Sequence, residues 1–547
     1  MVVAGGHLVP GRGHGHLGTG QVLVRQPHRP EHGPRGRPLR SLGDLPAPGP
    51  TRTFHRNLPG GVSGWAGTIP SAGGDVEREP LPPPARRSWW LEEALADDPG
   101  EPCPPLAGRV RADVLVVGGG YTGLWSAWFL TELEPSLRVV ICEQDIVGGG
   151  PSGRNGGFVN SWWNGLAAYA RRLGDAQALA LCRAGAESVA EIGTWCEANG
   201  VDAWYTRAGD LGVSVSPAQD GRWRDTLEAA ERLGVGDLFE ELPPERVREL
   251  CDSPLFRGGV LLRDSATVQP ARLARGLRRA LLGRGVRIFE GTPVRRFRAG
   301  PPAEAETPLG SVVAERAIIA VNAWGIHWRR LRPHLAVRGS YIVLTAPAPE
   351  RLRGIGWTSG VSIWDLRASL HYLRTTPDGR IAFGAGGLQP DLARRIGPRF
   401  AYDPRSVAIV ARDFRRMFPS FAAVPLACAW GGPIDISGDH LPFFGSNPAG
   451  NVHHGVGYTG NGVAPSHLGG KILARLALGI EDRYTELPLV RREPMRFPPE
   501  PLRSPGMLVV NRAIRRKDDE ELERGRANPV VSFVARLPRR LGYELGP

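Results

Sequence analysis

The stretch from Ala112 to Gly157 constrains the fold of this 547-residue chain more than any other. It opens with a short, β-branched apolar run, Ala112 to Val117, of the kind that forms buried strands of parallel sheets. Gly118, Gly120 and Gly123 follow in the spacing G-x-G-x-x-G, and an apolar helical pattern begins directly after them. Glycines in this order allow a tight turn, a close approach of the backbone to a pyrophosphate, and close packing of helix on strand.

A second predicted strand, Arg138 to Cys142, ends in Glu143. The acid lies about twenty residues beyond the last glycine of the motif, where a carboxylate can accept both hydroxyls of an adenosine ribose. No arginine directly follows Glu143, which argues against a ligand with a 2′-phosphate. The order of strand, glycines, helix, strand and acid therefore predicts a βαβ unit that binds an ADP-containing dinucleotide, the alternative being a merely structural turn.

Composition narrows the class of protein. The net charge is +13, but the cations are almost all arginine, and lysine occurs only at Lys471 and Lys517. The arginines are scattered among Asp and Glu, whereas a nucleic-acid-binding chain concentrates its cations in one patch or stripe. We interpret the excess of Arg, Gly, Ala and Pro as the codon usage of a GC-rich genome, and no nucleic-acid partner is expected.

The cysteines and the apolar runs bear on the compartment. Six cysteines are widely spaced without a C-x-x-C pair, which predicts neither a metal site nor a disulfide framework and suits a reducing environment. No uninterrupted apolar run is long enough to span a bilayer, and no signal peptide is recognisable. The sequence therefore predicts a cytoplasmic protein with no metal ion and no membrane span.

The periodicity of apolar residues divides the chain into seven segments. Residues 1–86 are rich in Gly, Pro, Arg and His without periodicity, which predicts a disordered extension or translation from a misassigned start. An overall α/β fold is expected for the rest. Its predicted parts are a Rossmann-like domain over 87–160, 256–330 and 426–482, an interleaved α+β domain with a mixed or antiparallel sheet over 161–255 and 331–425, and an extended, then charged tail over 483–547.

Four blocks of the chain resemble FAD-dependent oxidoreductases of the D-amino-acid oxidase, glycine oxidase and sarcosine oxidase superfamily. Within it, the chain is most similar to the γ-glutamylputrescine-oxidoreductase-like amine oxidases. The blocks are VVGGGYTG with Glu143, GPSGRNGG, HYLRTTPDGRIAFGAGG, and DHLPFFG followed by GVGYTGNGV. They occur in the family's order between residues 87 and 482, and the resemblance implies a glutathione-reductase-like Rossmann fold for the FAD-binding domain.

The resemblance implies an FAD cofactor and positions for the residues around it. The pyrophosphate would lie on Gly118, Gly120 and Gly123, the ribose on Glu143, and the adenine against the main chain of Val294. The residues beside the flavin ring would be Ser152, Arg154, Asn155 and Gly156. Those beneath its pyrimidine would be Gly457, Thr459, Gly460, Asn461 and Gly462, ahead of a helix N-terminus that can stabilise negative charge.

One departure from the family concerns the attachment of the flavin. Sarcosine oxidases hold the flavin through a cysteine, and Gly431 and Gly432 occupy the corresponding place here. Cys428 lies too early in the chain to replace it. We therefore expect non-covalent FAD.

The resemblance also implies candidates on the substrate side. Relatives place carboxylate-holding residues near the strand that contains Tyr372 and Arg374, and a guanidinium fork suits a carboxylate. The alternative, which the sequence favours, is that Arg374 is an exposed strand residue. His371 would face away from Tyr372, so at most one of the two lines a pocket. His440, beside Asp439, either approaches the flavin or caps a turn. Five aromatic residues are candidates for the wall of an amine site, and the alternative for each is a place in the core. They are Trp162, Trp163, Trp204, Tyr205 and Trp364.

The activity that the resemblance implies is oxidation of a C–N bond in an amine or amino acid. Hydride transfer to flavin N5 would give an imine that hydrolyses, and oxygen would reoxidise the flavin to give hydrogen peroxide. Three alternatives stay open, since fold alone does not settle chemistry: a dehydrogenase with a quinone or protein acceptor, a nicotinamide-dependent reductase, and a flavin-binding module without turnover or an RNA-modifying flavoprotein. The second glycine loop, 455–462, disfavours the nicotinamide enzyme.

Overall fold

A computed structural model describes residues 81–85, 87–390 and 396–544, with the backbone alone at 389 and 390. Apart from residues 81–85, the predicted N-terminal extension 1–86 lies outside the described residues. Residues 81–85 are part of the folded chain, because the Ala85 amide donates to the Ala429 carbonyl (2.9 Å) and the Ala429 amide donates to the Pro83 carbonyl (2.9 Å).

The α-helices of the described residues are numbered in chain order. They are α1 Trp89–Asp97, α2 Tyr121–Leu133, α3 Leu166–Leu173, α4 Asp175–Ala198, α5 Arg224–Arg232, α6 Pro244–Leu250, α7 Pro270–Gly283, α8 Pro349–Gly354, α9 Pro404–Met417, α10 Val463–Leu478, α11 Arg503–Arg524 and α12 Pro529–Arg540. None of them has the length and apolar character that crossing a bilayer requires.

The strands are numbered in the same way. They are β1 Gly108–Val117, β2 Val139–Cys142, β3 Phe158–Asn160, β4 Asp210–Ser214, β5 Phe239–Leu242, β6 Gly258–Leu262, β7 Ser265–Thr267, β8 Arg287–Phe289, β9 Arg296–Arg298, β10 Ala303–Glu306, β11 Gly310–Ile319, β12 Ala336–Thr345, β13 Ser362–Asp365, β14 His371–Thr375, β15 Ile381–Pro390, β16 Leu426–Ile436, β17 Phe443–Ser446 and β18 Val452–Val456.

The first sheet has parallel strands in the order β18, β11, β1, β2 and β8, with β17 antiparallel at one edge and the β9–β10 hairpin beside β11. Strand β1 is buried on both faces. Val114 and Val116 belong to a core with α2, α7 and α10, while Leu115 and Val117 belong to a core with β10 and β11. Each buried aliphatic side chain stabilises the fold by about 1.5–3 kcal/mol, which is why the central strand is an uninterrupted apolar run.

The second sheet has the order β16, β12, β15, β14, β13, β4, β6 and β5, antiparallel except between β13 and β4. Ile363 and Leu373 lie in a core with Phe414 of α9. Because side chains alternate along a strand, their neighbours Trp364 and Tyr372 project from the opposite face, which borders a cavity. His371 faces the core, so the expectation that only one of His371 and Tyr372 lines a pocket is met.

The chain contributes to both sheets in alternation. Strands β1–β2, β8–β11 and β17–β18 build the first sheet, and β4–β6 and β12–β16 build the second. The predicted α/β fold with an interleaved domain on a mixed sheet is therefore confirmed. Two predicted domain boundaries do not coincide with the division into sheets. The segments 256–330 and 426–482, predicted as parts of the Rossmann-like domain, begin with β6 and β16. These two strands instead pair with β4 and β12 of the second sheet. Their partners are distant in sequence, so local patterns do not reveal the pairing.

The segment after residue 483, expected as an extended and charged tail, contains two helices. The charged part of α11 packs against the loop between β13 and β14, where the Asp518 carboxylate accepts from the amide (2.8 Å) and hydroxyl (2.6 Å) of Ser369. Lys517 and Glu521 form a buried ion pair at 2.7 Å on the same helix. Charges that resembled a solvated face therefore attach the helix to the domain.

Candidate active site

A cavity of about 1760 Å³ opens at the carboxyl ends of β1, β2 and β11 and is bounded on another side by the polar face of the second sheet. Ligands of open α/β sheets bind at this end of the parallel strands. Most of the residues predicted to form the site lie in its wall. Apart from the aromatic candidates, the predicted residues that do not line it are Gly123, Gly457 and Arg374.

The glycine turn after β1 leaves no room for side chains. A Cβ atom at Gly118, where φ is +108°, would come within 2.3 Å of the Ala320 carbonyl oxygen. One at Gly123 would come within 2.0 Å of the Gly118 carbonyl oxygen, and one at Gly120 within 2.9 Å of the Ser152 hydroxyl oxygen. The turn thus brings bare backbone and the N-terminus of α2 to the cavity, as a pyrophosphate requires.

The acid at the end of β2 is held in place by backbone amides. The Glu143 carboxylate accepts from the amides of Gly119 (2.7 Å) and Asp145 (2.9 Å). Burial raises the pKa of Glu143 to about 7, although these two hydrogen bonds lower it. The Thr292 amide donates to the Glu143 carbonyl (2.7 Å) and brings Val294 into the same part of the wall. Glu143 and Val294 therefore lie together, as ribose and adenine contacts must.

The segment after β2 connects the two sheets. Arg154 donates to the carbonyls of Gly149 (2.8 Å) and Gly431 (3.1 Å), and burial lowers its pKa. The Asn155 side chain accepts from the Gly157 amide (2.7 Å) and thereby closes the turn. A Cβ atom at Gly156 would come within 2.9 Å of the Tyr372 ring. This segment therefore lies between the glycine turn after β1 and the polar face of the second sheet.

The second glycine loop is fixed by a residue that sequence reasoning missed. The Asp435 carboxylate accepts from the Gly457 amide and from the Asn322 side chain (2.8 Å), and the Thr459 amide donates to the Asp435 carbonyl (2.8 Å). Burial raises the pKa of Asp435 to about 7. The loop has φ of +88° at Gly457, +55° at Thr459 and +87° at Gly460. It leads directly into α10, so the helix N-terminus borders the cavity.

Tyr372 lies in the cavity wall with its hydroxyl fixed. Its Oη lies 2.7 Å from Oγ of Ser340, and its ring makes an edge contact with Phe158. Burial raises the pKa of Tyr372 to about 12, so the hydroxyl stays protonated at neutral pH. Tyr372 is thus a polar group of defined position on the face of the second sheet that borders the cavity.

Arg374 lies on the same side of β14 as Tyr372 but outside the cavity wall. Its guanidinium donates to the Val268 carbonyl and to the Thr375 carbonyl (3.1 Å), and it lies 5.5 Å from the centre of the Trp90 ring. Burial lowers the pKa of Arg374 to about 9. The structure accordingly gives Arg374 neither the surface exposure nor the cavity position that the sequence allowed for.

Arg338 lines the cavity and was not singled out from the sequence. It lies on β12, two residues before Ser340 and therefore on the same face of the sheet. Its buried Nε has no hydrogen-bond partner within the described residues. Burial and the nearby charge of Arg515 lower the pKa of Arg338 to about 10. The sequence does contain a signal for this residue, because Arg338 is the one charged residue in the otherwise apolar strand AVRGSYIVLT.

His440 also lines the cavity, and the charge of Arg338 acts on its ring. Its backbone has φ of +60°, a conformation that a turn imposes. Burial, assisted by the charge of Arg338, lowers the pKa of His440 to about 4, against the opposing effect of Asp439. Asp439 itself is paired with Arg172 at 3.0 Å and with Arg492. His440 is therefore a neutral ring at physiological pH.

A buried acid on β4, Asp210, also borders the cavity and was missed. Its carboxylate accepts from Ser362 Oγ (2.7 Å), Asn160 Nδ2 (3.0 Å) and Asn164 Nδ2 (3.5 Å). Burial raises the pKa of Asp210 to about 6 in spite of these donors. Of the aromatic candidates, Trp162 and Trp364 lie in the wall, whereas Trp163, Trp204 and Tyr205 do not.

Comparison with known proteins decides the family. The model of the family described as "FAD dependent oxidoreductase" (DAO) matches residues 113–476. The chain belongs to this family. It is 30% identical to γ-glutamylputrescine oxidoreductase of Escherichia coli over 70% of this chain and 87% of the relative. It is 27% identical to the probable oxidoreductase OrdL of Haemophilus influenzae over 70% and 86%. The chain is thus an FAD-dependent oxidoreductase.

Solved structures of DAO-type enzymes share the fold. Glycine oxidase from Geobacillus kaustophilus superposes with a TM-score of 0.56 at 20% identity, over 70% of this chain and all of that one. L-proline dehydrogenase from P. horikoshii gives 0.56 at 18% identity, over 77% of this chain and all of that one. These likenesses confirm the predicted fold class.

The residues in the cavity fit the FAD of the DAO family. The glycine turn at Gly118 has no space for side chains, and Glu143 offers carboxylate oxygens at the end of β2. The cavity exceeds the roughly 300–1,000 Å³ of an ordinary ligand pocket, as a dinucleotide with a substrate beside it needs. Of the six cysteines, Cys142 is the one in the wall, whereas Cys428 lies outside it and Gly432 lines it.

Part of the wall lies beyond the DAO family match, which ends at residue 476. One face of α11 borders the cavity with the residues Arg503, Gly506, Met507, Val510, Ile514 and Lys517. Their spacing of three and four residues is that of one helix face. Sequence reasoning missed this face because the charged run RRKDDEELER dominated the interpretation of the segment.

Proposed function

We propose that this enzyme oxidises the C–N bond of an amine or amino acid, with oxygen as final electron acceptor. The observation that supports it is a single cavity joining the dinucleotide cradle at Gly118 and Glu143 to the polar face of the second sheet. When bound, FAD supplies the acceptor for the hydride that leaves the carbon next to the nitrogen. The imine product takes up water to give a carbonyl compound and a free amine, and reduction of oxygen gives hydrogen peroxide.

Each part of the cradle has a role in this proposal. Gly118, Gly120 and Gly123 admit the pyrophosphate, Glu143 accepts from the ribose hydroxyls, and Val294 lies against the adenine. The groups toward the flavin ring are Ser152, Arg154, Asn155 and Gly156, and on its other side Gly457, Thr459, Gly460, Asn461 and Gly462. The cofactor is held non-covalently, because Gly432 lines the cavity where a sarcosine oxidase has its cysteine.

The substrate class follows from two groups of opposite charge in the cavity wall. Asp210 offers a carboxylate to an ammonium group, and Arg338 offers a guanidinium to a carboxylate. The name of the E. coli relative, γ-glutamylputrescine oxidoreductase, supports a substrate that combines an amine with a carboxylate. We expect an amino acid or a γ-glutamylated diamine.

Two further groups orient the substrate. Tyr372, with its hydroxyl fixed by Ser340, and His440, neutral at physiological pH, supply polar contacts beside the reacting carbon without adding charge. Trp162 and Trp364 offer ring faces to a cationic nitrogen. Arg374 stabilises the contact between β14 and Val268 and does not touch substrate. This structural role takes the place of the carboxylate-binding role that the family resemblance implied for it.

The proposal is tested by anaerobic titration of the holoenzyme with candidate substrates. γ-Glutamylputrescine or an amino acid should bleach the flavin absorbance, and readmission of air should restore it with one equivalent of hydrogen peroxide. Bleaching that only a quinone or a protein acceptor reverses would make the enzyme a dehydrogenase. Failure of every amine and amino acid to bleach the flavin would contradict the proposal.

We also propose a cytoplasmic location, supported by six cysteines that are all free thiols.

A further inference from the structure

We propose that α12 binds the surface of a membrane that contains anionic lipids. The first observation is the distribution of exposed apolar side chains. Eleven large apolar side chains are exposed in the described part of the chain, and seven of them lie between residues 502 and 541. Four belong to α12 and the residue that caps it: Val530 (71% exposed), Phe533 (50%), Leu537 (37%) and Leu541 (63%).

These four side chains form one stripe along the helix. Their positions are i, i+3, i+7 and i+11, which lie on one side of a helix with 3.6 residues per turn. The opposite side contains Ala535, which is 3% exposed and packs inward. A surface helix normally turns its apolar side to the core, whereas α12 turns a second apolar side to the solvent. A contiguous exposed stripe of this kind marks an interaction surface.

The charge beside the stripe indicates the partner. Within Pro529–Arg540 the charged residues are Arg536, Arg539 and Arg540, with no acid. The Arg540 guanidinium lies 4.7 Å from the centre of the Phe533 ring, at the edge of the stripe. Apolar residues flanked by arginine are the composition of helices that lie in the plane of a bilayer and contact anionic head groups.

The same charge argues against a second copy of the chain as the occupant. Two apposed α12 helices would place the Arg540 side chains of both copies beside the stripes, without an acid of α12 to offset them. The acids at the end of α11 are already engaged, Asp518 by Ser369 and Glu521 by Lys517. Negatively charged lipid phosphates complement the arginines and the bilayer accepts the apolar stripe. Leu537 and Leu541 also line the cavity, as do Arg536 and Arg539. Val530, Phe533 and Arg540 do not line it and are the part of α12 that faces away from it. Binding would therefore place the active-site cavity beside the lipid surface.

Sedimentation of the full-length holoenzyme with vesicles tests this proposal, which does not depend on the substrate. We expect the protein to sediment with vesicles of phosphatidylcholine and phosphatidylglycerol and to stay in solution with phosphatidylcholine alone. The double variant V530S/F533S keeps every charge, and neither residue lines the cavity. Its partitioning should fall about tenfold or more, because the apolar contribution is lost. Arg540→Ser should reduce partitioning about fivefold through its charge alone.

The matched control is Leu309→Ser, which removes an apolar side chain that is 66% exposed on the turn between β10 and β11; it should leave partitioning unchanged. Flavin absorbance and thermal melting establish that each variant is folded. The proposal is overturned if the wild type ignores the anionic vesicles, or if V530S/F533S binds them as the wild type does. It is also overturned if the wild type is a dimer by light scattering and V530S/F533S is a monomer.

Discussion

At the scale of single residues, burial raises the pKa of Glu143 and so controls how much of its charged form is available to the proposed ribose contact. We predict that Glu143→Gln weakens FAD binding about tenfold to a hundredfold, because hydrogen bonds to a charged acceptor are the stronger ones. Wild-type affinity should fall as the pH drops below 7, since the pKa of Glu143 is raised to about 7. The variant should lack this part of the pH dependence. Quenching of flavin fluorescence by the apoprotein measures both effects.

The control for this prediction is Glu132→Gln. Glu132 lies on the surface at the end of α2, and its carboxylate is 3.7 Å from the guanidinium of Arg284. It should bind FAD as the wild type does. Because Asp435 also has its pKa raised to about 7, the comparison is made between variant and wild type at each pH. Equal FAD affinities for Glu143→Gln and the wild type at pH 8 would refute the role given to Glu143.

The two arginines of the substrate domain should respond differently to removal. Arg338→Met should raise the KM for a carboxylate-bearing substrate about tenfold or more with a smaller change in kcat, because a buried guanidinium–carboxylate contact is lost. Arg374→Met should leave KM unchanged and lower the free energy of unfolding by about 2–4 kcal/mol, because the Val268 carbonyl loses a buried charged donor. Steady-state kinetics and thermal melting of the two variants separate the roles.

A reversed pattern, with the rise in KM at Arg374→Met, would restore the expectation drawn from the sequence. The resemblance to the family named most of the cofactor candidates that line the cavity, because they lie in short blocks of sequence, and the backbone around Gly118 and Gly123 leaves no space for a side chain. Arg338, Asp210 and Asp435 escaped prediction for a different reason. Each contacts the cavity through strands that pair only in the tertiary structure, so no local spacing brings them together.

At the scale of secondary-structure elements, a buried charged group joins β13, β14 and α9. The His371 ring lies 2.6 Å from Asp365 and 3.2 Å from Asp413. Burial opposes a charge on the ring, but the two carboxylates outweigh it and raise the pKa of His371; the pKa of Asp413 is lowered to about 2 against its own burial. The charged ring therefore stabilises the fold below pH 6.5, and this stabilisation is lost as the pH rises through the folded-state pKa.

From this sign we predict that His371→Gln lowers the melting temperature more at pH 6 than at pH 9. His454→Gln is the control with the opposite sign, because burial lowers the pKa of His454 to about 4. Its neutral ring contributes stability above pH 6.5 that is lost on acidification, so its replacement should cost more at pH 8 than at pH 5. A melting-temperature difference for His371→Gln that does not change with pH would disprove the charged state of the ring.

The cavity-facing side of α11 should select substrates. Met507→Trp adds volume inside the cavity and should raise the KM about tenfold, with FAD binding unchanged. Leu508→Trp is the matched control, because Leu508 is the next residue, is 38% exposed and does not line the cavity. Steady-state kinetics on both variants checks the prediction. If both variants have the wild-type KM, α11 does not border the bound substrate.

Elements with strong local patterns were predicted closely. Apolar residues from Ala176 to Cys196 recur at spacings of three and four, and Asn199–Gly200 follows them. This pattern predicts one long helix, and α4 spans Asp175–Ala198. The tail was missed because α11 mixes charges that form internal contacts with an apolar side toward the cavity. Its mean pattern therefore resembles neither a core helix nor a solvated one, and only the tertiary contacts distinguish these cases.

At the scale of the whole molecule, function depends on two sheets that share one cavity. Strands and long helices inserted between two α/β stretches of the sequence predicted this interleaving, since a Rossmann pattern that stops and resumes needs a second domain between its parts. The sequence did not predict that β6 and β16 belong to the second sheet. Pairing between strands that are distant in sequence is decided by the assembled core and not by the strands themselves.

Non-covalent binding of FAD in the cavity is the property on which the other expectations depend. Its most direct test is the visible absorbance of the purified protein before and after acid precipitation. We expect a yellow protein whose flavin passes entirely into the supernatant and is identified there as FAD. Yellow colour that stays in the pellet would overturn non-covalent binding, and a colourless protein that cannot take up added FAD would contradict FAD binding altogether.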